Sequence, residues 1–466
     1  LGDVYKRQDI NTSLGNAADP IDADQKLQED ALMSYVASVN YSYGDKYYAS
    51  FSFRRDGSSR LSPDTRWGNF WSLSASWRLS QEKFMQSLKS VLSDLKLRAS
   101  YGVNGNLPSS YYGYQSTYTT GAFYNGKPSP WESTLGNEEL TWEKNYALNL
   151  GLDIGLFSRV NVSLDWYTRT TKDLLMSKQL NSISGFSSLL TNVGQMRNTG
   201  VELEVRSNNI KTKDFSWTTA FNLSHNKNKI LKLADLPWFV DGRYVRKEGY
   251  PFNTIYLREY AGVDPETGSA LYYDNQQDEN GNYTKNKVTD PGQASPIPLK
   301  DITPTISGGF MNTFNYKFID LSFNLSYSFG GYSYDNASYI LQDDGYSVIS
   351  NKSTEQRRRW QKPGDITDVP RFVYGNKKGG NYNSSRAIHS TDHIRLKSLI
   401  LGLNAPKAWL QKLGIGNARI YFSGTNLLTW AAYGQYDPEM SGVVGFYTPP
   451  AVSYTHLRAH ETLSDL

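Results

Sequence analysis

"LNLGLDIGLFSRVNVSLDWY", residues 148–167, alternates apolar and polar side chains almost throughout, with a break only at Leu156, Phe157 and Ser158. A period of two is the repeat of a β-strand, whose successive side chains leave opposite faces. Read as a hairpin, the stretch gives one face to Leu150, Leu152, Val162, Leu164 and Trp166, and the other to Asn149, Gly151, Asp153, Ser163 and Asp165. A soluble sandwich and a membrane barrel can both be written this way. The rest of the chain has to decide what touches each face.

About twelve such segments follow one another, near residues 32–43, 46–55, 68–79, 93–103, 142–155, 158–169, 198–207, 214–225, 304–316, 318–330, 392–404 and 416–428. In "FWSLSASWRLS", Trp71, Leu73, Ala75 and Trp77 oppose Ser72, Ser74, Ser76 and Arg78; in "IDLSFNLSYSF", Leu321 and Phe323 oppose Asp320, Ser322 and Asn324. The connections alternate in length along most of the chain. Short links fall at 43–46, 156–158, 208–214 and 316–318, with two of intermediate length at 80–92 and 405–415. Long links fall at 104–141, 170–197, 226–303 and 331–391, and the 56–67 link is no longer than 80–92. Successive links of an up-and-down meander lie on opposite rims, so one rim is trimmed and the other elaborated. That is the pattern of an outer-membrane barrel, whereas a Greek-key sandwich mixes link lengths at both ends. The links "EKFMQSLKSVL" (Phe84, Leu88, Val91) and "APKAWLQKLG" (Trp409 near Leu413) read as short amphipathic turns plugging the trimmed rim.

Dimensions and composition agree. Ten residue steps from Tyr146 to Leu156, at about 3.3 Å each and a tilt of about 40°, rise roughly 25 Å, the height of an apolar bilayer band. The chain has 34 Tyr, 11 Trp and 19 Phe, and its mean hydropathy is −0.57. Interfacial girdles use so many rings with polar tips better than a sandwich core does. Tyr41, Tyr43, Trp71, Trp77, Tyr146, Trp166, Tyr327 and Phe329 gather toward the ends of the apolar rows. No apolar run is long enough for a helical span, yet low mean hydropathy is compatible with a barrel, in which only every second residue meets lipid. Charges should then look into a wet lumen (Arg78, Arg98, Asp153, Asp165 and Asp320), and Leu150, Leu152, Val162, Leu164, Leu321 and Phe323 should face acyl chains. The fold expected is all-β: an antiparallel up-and-down transmembrane β-barrel, incomplete, its single curved sheet carrying long extracellular loops and short periplasmic turns.

Several function classes fall away. With 49 basic and 45 acidic residues there is no basic stripe for nucleic acid. Cysteine is absent, which removes disulfides, thiolate metal sites and thiol catalysis. The five histidines show no metal-ligand spacing, so neither metal nor cofactor is expected. The ends "LGDVYKRQ" (1–8) and "VSYTHLRAHET" resemble translated sequencing-adapter DNA. Residues 1–8 and 451–466 are therefore expected to be foreign, leaving 9–450 as one barrel segment.

A set of longer stretches resembles the SusC/RagA group of TonB-dependent outer-membrane transporters of Bacteroidetes-type bacteria. They are "YYASFSFRRDGSSRL" (47–61), "LKLRASYGVNGN" (95–106), "TWEKNYALNLGLD" (141–153), "NVGQMRNTGVELEV" (192–205), "FNLSHNKNKI" (221–230), "EGYPFNTIYLREYAGVDPETG" (248–268) and "HIRLKSLILGLNAP" with "ARIYFSGTNLLTWAAYGQYDPE". The resemblance implies a barrel of about 22 strands with a plugged lumen, of which this chain would supply about twelve or thirteen, without plug, TonB box or closing strand. It also implies outer-membrane import of a nutrient, a glycan or oligosaccharide, with a SusD/RagB-like surface lipoprotein as lid, TonB-ExbB-ExbD as energy source and outer-membrane lipid around it. Peptide or ferric-siderophore cargo is the alternative on the same barrel. A secreted β-sandwich lectin or glycan hydrolase is the alternative of another class.

Local chemistry adds little. Tyr112, Tyr114, Tyr118 and Trp131, in the 104–141 loop, can stack on sugar rings or pack against neighbouring loops or the lid protein. "DNQQDENGNYT" (274–284) has the acidic flavour of a calcium loop, but counted from Asp278 it has Tyr283 where glycine and Thr289 where glutamate belong, and so reads as a solvated turn. Arg357, Arg358 and Arg359 beside Trp360 read as a charged loop face. The adjacent carboxylates Glu138/Glu139 and Asp343/Asp344 say nothing of a separation across a scissile bond, and no enzyme is expected.

Overall fold

The computed structural model describes residues 28–119, 123–233, 237–347, 349–376, 383–406, 410, 416, 418–440 and 442–445, and the backbone of 453–456. Its frame is one antiparallel sheet of thirteen strands laid down in chain order. These are β1 (Leu32–Tyr43), β2 (Tyr47–Ser58), β3 (Trp67–Arg78), β4 (Leu92–Asn106), β5 (Glu143–Leu156), β6 (Val160–Lys172) and β7 (Gln195–Lys211). They continue as β8 (Phe215–Lys232), β9 (Ile306–Tyr316), β10 (Ile319–Phe329), β11 (His393–Asn404), β12 (Arg419–Ala431) and β13 (Ser453–His456). The twelve segments expected from periodicity are β1–β12. Their ends shift by up to seven residues, most in β7 and β8, which run beyond the alternating stretch into the loops. Backbone 453–456 pairs with Phe422–Thr425 along the free side of β12. The other residues expected to be foreign, and Trp409 with Leu413, lie outside the described residues.

The tight links have hairpin chemistry. Gly44 and Asp45 both have positive φ, as do Phe157 and Ser158, which gives the primed turns whose twist suits flanking strands. The long links form small bodies on the other rim. One packs strands Trp238–Asp241, Tyr244–Lys247, Thr254–Leu257 and Ile297–Asp301 into a four-stranded sheet. Another joins Tyr332–Asp335 to Ile388–Ser390 and, in parallel, to Gly442–Val444. The first link does not follow the long/short rule: 59–66 is shorter than 79–91.

Register assigns every strand residue to a face, because residues paired directly across strands point the same way. One row runs Ser42, Tyr48, Ser76, Arg98, Gly151, Asp165, Glu202, Ser224, Ser307, Ser328 and His393. The adjacent row on the opposite face runs Tyr43, Tyr47, Trp77, Leu97, Leu152, Leu164, Leu203, Leu223, Gly308, Tyr327, Ile394 and Trp430. Each row leaves the trimmed rim at β1 and β2 and reaches the elaborated rim by β10 and β11. Such a steady climb is the stagger that tilted strands of a barrel require.

Among the described residues no second layer covers the apolar face. Leu73, Leu150, Leu164 and Leu401 are 52, 46, 40 and 44 % exposed. Leu152, Val162, Leu321 and Phe323 are half-buried, by neighbours in their own sheet. The four buried hydrophobic clusters among the described residues all involve loops or strand ends at the elaborated rim. One joins Leu61, Phe70, Leu140 and Trp142, and another Ile255, Leu257, Tyr334 and Ala387. A sandwich would bury its apolar rows between two sheets about 10 Å apart, and this sheet does not. On the apolar face, rings stack along β8–β10: Trp217 on Phe314, Phe314 on Phe323, Phe221 on Tyr327.

The 79–91 link corrects an expectation. Ser80 donates to Asp94 on the polar face, but two residues later Glu82 accepts from Tyr47 and Trp77 on the apolar face. The link therefore crosses the rim and folds outward, and does not plug it.

Candidate functional site

The polar face and the loops above it form the candidate site. On the face, Arg98 of β4 reaches over β5 to β6. Its Nε and Nη2 donate to Asp153 (2.8 and 2.9 Å), its Nη1 and Nη2 to Asp165 (both 2.9 Å), and Nη2 also to Ser163 (3.0 Å). Gly151 makes this possible: it lies directly across from Arg98, where a Cβ would come within 2.5 Å of the guanidinium carbon. Arg78 ties Asp94 (3.1 Å) to Asp45 (3.2 Å) at the trimmed rim. Asp320 accepts from Asn404 (2.8 Å) and Arg419 (2.5 Å) over Gly402. The five charges singled out in the sequence thus share one face, each in an ion pair across strands. Between them the wall is paved with small hydroxyls and amides, Ser50, Ser52, Ser72, Ser74, Ser100 and Asn149.

Toward the loops, Arg395 of β11 is 1 % exposed and held by Asp437 and by Glu439 (2.9 Å), which also accepts from Lys397 (2.7 Å). Arg395 and Lys397, two residues apart beside a register shift between Leu396 and Ser398, reach the same carboxylate. Burial pushes the Asp437 carboxyl up, but Arg395 and the Glu439 N–H outweigh it, and it sits below its ordinary value. Sequence reasoning missed this knot, although its acids lie in the quoted "YDPE". It also missed the buried charges inside the second-longest loop, 330–392. There Asp344, fully buried, accepts from Arg386 and Gln356, and Asp343 accepts from Lys352. Trp360 donates to the Pro265 carbonyl (2.8 Å) and lies against Gly268, so the Arg357–Arg359 stretch belongs to a joint between loops. His389 stacks on Tyr433 at 3.7 Å; burial lowers the imidazole's pKa and keeps it neutral.

The aromatic quartet is not gathered on one surface. Thr117–Thr119 pairs antiparallel with Trp131–Thr134, Tyr118 opposite Glu132 and Thr119 opposite Trp131, so Tyr118 and Trp131 leave opposite sides, 65 and 55 % exposed. Tyr112 accepts from the Glu29 N–H (3.2 Å) and Tyr114 from the Gln115 side-chain amide (2.9 Å). The 274–284 stretch is a turn in which Asp278 accepts from the Asn280 and Asn282 N–H groups. Among the described residues no group of three acidic or histidine side chains could hold a metal.

Against known proteins, residues 1–255 match the family model "TonB dependent receptor-like, beta-barrel". The chain belongs to that family. Among curated relatives, TonB-dependent receptor P3 of Formosa agariphila is 34 % identical, over 89 % of this chain and 42 % of its own length. TonB-dependent receptor SusC of Bacteroides thetaiotaomicron is 30 % identical, over 92 % and 44 %. The solved structure described as the RagAB peptide transporter superposes with a TM-score of 0.84 at 30 % identity, covering 94 % of this chain and 48 % of that one. The chain spans less than half the length of these relatives. It is part of a SusC/RagA-type TonB-dependent receptor barrel, an outer-membrane fold, and its sheet is open along β1.

Proposed function

We propose that this TonB-dependent receptor segment forms wall and mouth of an importer that takes a neutral, hydroxyl-rich nutrient, an oligosaccharide, across the outer membrane. A SusD/RagB-type lipoprotein serves as lid over the loops, and TonB-ExbB-ExbD supplies energy through the plug. In this reading the polar face lines the lumen and the apolar face meets lipid. The observation that carries the cargo class is the wall itself. Most of its charges are spent on one another, through Arg98 with Asp153 and Asp165, Arg78 with Asp94 and Asp320 with Arg419; Lys96, Arg169 and Glu202 stand outside these pairs, and between the charges serine and asparagine recur. Such a wall offers exchangeable hydrogen bonds and little net field, which suits sugar hydroxyls better than a charged chelate. Exposed Tyr118 and Trp131 offer rings for a sugar face or for the lid. A peptide cargo is the second reading, favoured by the likeness to a peptide transporter.

The test is calorimetric binding of neutral oligosaccharides, mixed peptides and a ferric siderophore to the full-length receptor with its lipoprotein. Binding of an oligosaccharide with neither of the others supports the proposal. Binding of peptides alone overturns it in favour of the second reading.

A further inference from the structure

The outward-folded 79–91 link and the wall beside it make a second site. Between the row of Tyr47, Trp77 and Leu97 and the next row up, three alanines stand in register, Ala49, Ala75 and Ala99. They leave a groove of about 700 Å³ lined almost wholly by apolar groups, among them Trp77, Leu97, Leu152 and Trp166. The groove lies on the apolar face next to the trimmed rim, continuous with the lipid-facing belt.

At its rim end the chain is polar and then apolar in an order that fits an interface. Glu82 gathers Lys46 (2.9 Å), Tyr47 (2.7 Å) and Trp77 (3.2 Å), fixing both rings with their tips at the rim. Beyond it the short turn Lys83–Leu88 exposes Phe84 (63 %) and Leu88 (50 %). Phe157 of the neighbouring hairpin, also exposed, donates its N–H to the Val91 carbonyl (2.8 Å) and extends the apolar strip. Lys83 and Lys89 flank this strip, exposed and in no ion pair among the described residues. Apolar side chains left bare in water would cost free energy in proportion to their area; in the leaflet they do not.

We propose that this groove and rim bind one anionic glycerophospholipid of the inner leaflet, an acyl chain lying over Ala75 and Ala99 and the headgroup phosphate meeting Lys83 and Lys89. The charge of the rim and its position beside the lipid belt select the occupant. The inference rests on the barrel's sidedness and is independent of cargo.

The experiment is native mass spectrometry of the full-length receptor, freed from detergent after titration with dioleoylphosphatidylglycerol or dioleoylphosphatidylcholine. The expected result is one retained phosphatidylglycerol. Retention falls at least about fivefold in K83E/K89E, two exposed positions whose change leaves folding alone. It falls as well in A75L/A99L, which fills the groove, with folding checked by heat-shifted gel mobility. Equal retention of both lipids in all three proteins, or retention of lipid A in preference to phosphatidylglycerol, overturns the proposal. Cargo binding measured on the same samples keeps a failure here distinct from a failure of the import reading.

Discussion

Asn149 and Leu150 are neighbours at one depth on opposite faces, and that pair can decide the sidedness of the wall. Leu150 lies six residue steps from Leu156 at the trimmed rim. Six steps span about 20 Å along the strand and about 15 Å along the axis at a tilt of about 40°, close to the middle of a roughly 25 Å apolar band. An arginine facing lipid at that depth costs about 2 to 4 kcal/mol, so L150R should lower the unfolding free energy of the full-length receptor by that much. N149R points toward Ser100 and Tyr167, its partners across the strands, on the hydrated face. Its cost should stay within about 0.5 kcal/mol, that of an ordinary surface change. The assay is urea unfolding from lipid vesicles followed by tryptophan fluorescence, with equal slopes required before the midpoints are compared. If N149R is the more damaging of the two, the faces are reversed, and the assignment of lumen and lipid fails with them.

Four further outcomes are expected. R98M strands the Asp153 and Asp165 carboxylates; since all three groups keep some contact with water, the loss is about 2 kcal/mol in the same unfolding assay, partly restored by adding D153N and D165N. Glu82 is held down to about 2 by Lys46 first, then Tyr47 and Trp77, against an ordinary 4.5, so its contribution is complete above that ordinary value and is lost as pH falls toward 2; E82Q should flatten that limb of a stability–pH curve, and an unchanged limb refutes the knot. G308A would set a Cβ 2.1 Å from the Asn222 carbonyl oxygen and 2.4 Å from the Tyr327 hydroxyl; about 1 to 3 kcal/mol should be lost, and Y327F should not rescue it because the backbone clash remains. W360A removes one tie between the two longest loops and leaves others, among them Tyr260 with Ser385 and Asp368, so limited proteolysis should cut faster within 330–392 while the strands stay protected.

How far the sequence was legible follows from which physics each feature uses. Strands such as Ile319–Phe329 could be read because lipid on one side and water on the other impose a period of two on every residue. The ion pairs on the polar face could be read only as a list of charges, since nothing local to Arg98 says that Gly151 clears its path to Asp165. The knot at Arg395 leaves no composition signal at all, because Lys397 and Arg395 meet at Glu439, a carboxylate 42 and 44 residues further along the chain. The loop locks are longer-range still. Asp344 and Arg386 are 42 residues apart and meet inside a loop body whose shape depends on a second loop. The outward fold of 79–91 was misread because amphipathic spacing gives a face but not the side of the wall on which that face lands.

That last point bears on how a barrel of this kind is held together. Its apolar side chains meet lipid, a fluid neighbour, so packing on that face alone does not specify one register. Register has to come from pairs that a slip would break. Arg98 with Asp153 and Asp165 does this across β4–β6, and Arg419 with Asp320 across β10–β12. The glycine opposite each guanidinium or carboxylate belongs to the same device, because a slip of one residue would carry Leu150 or Leu401 to the position Gly151 or Gly402 now holds and block the bridge. On this argument the paired charges serve to align the strands. G151A, which pushes the guanidinium off β5, should therefore damage folding yield more than it weakens binding of an uncharged cargo; the reverse ranking, seen by comparing assembled receptor with affinity per assembled receptor, would place Arg98 on the cargo instead.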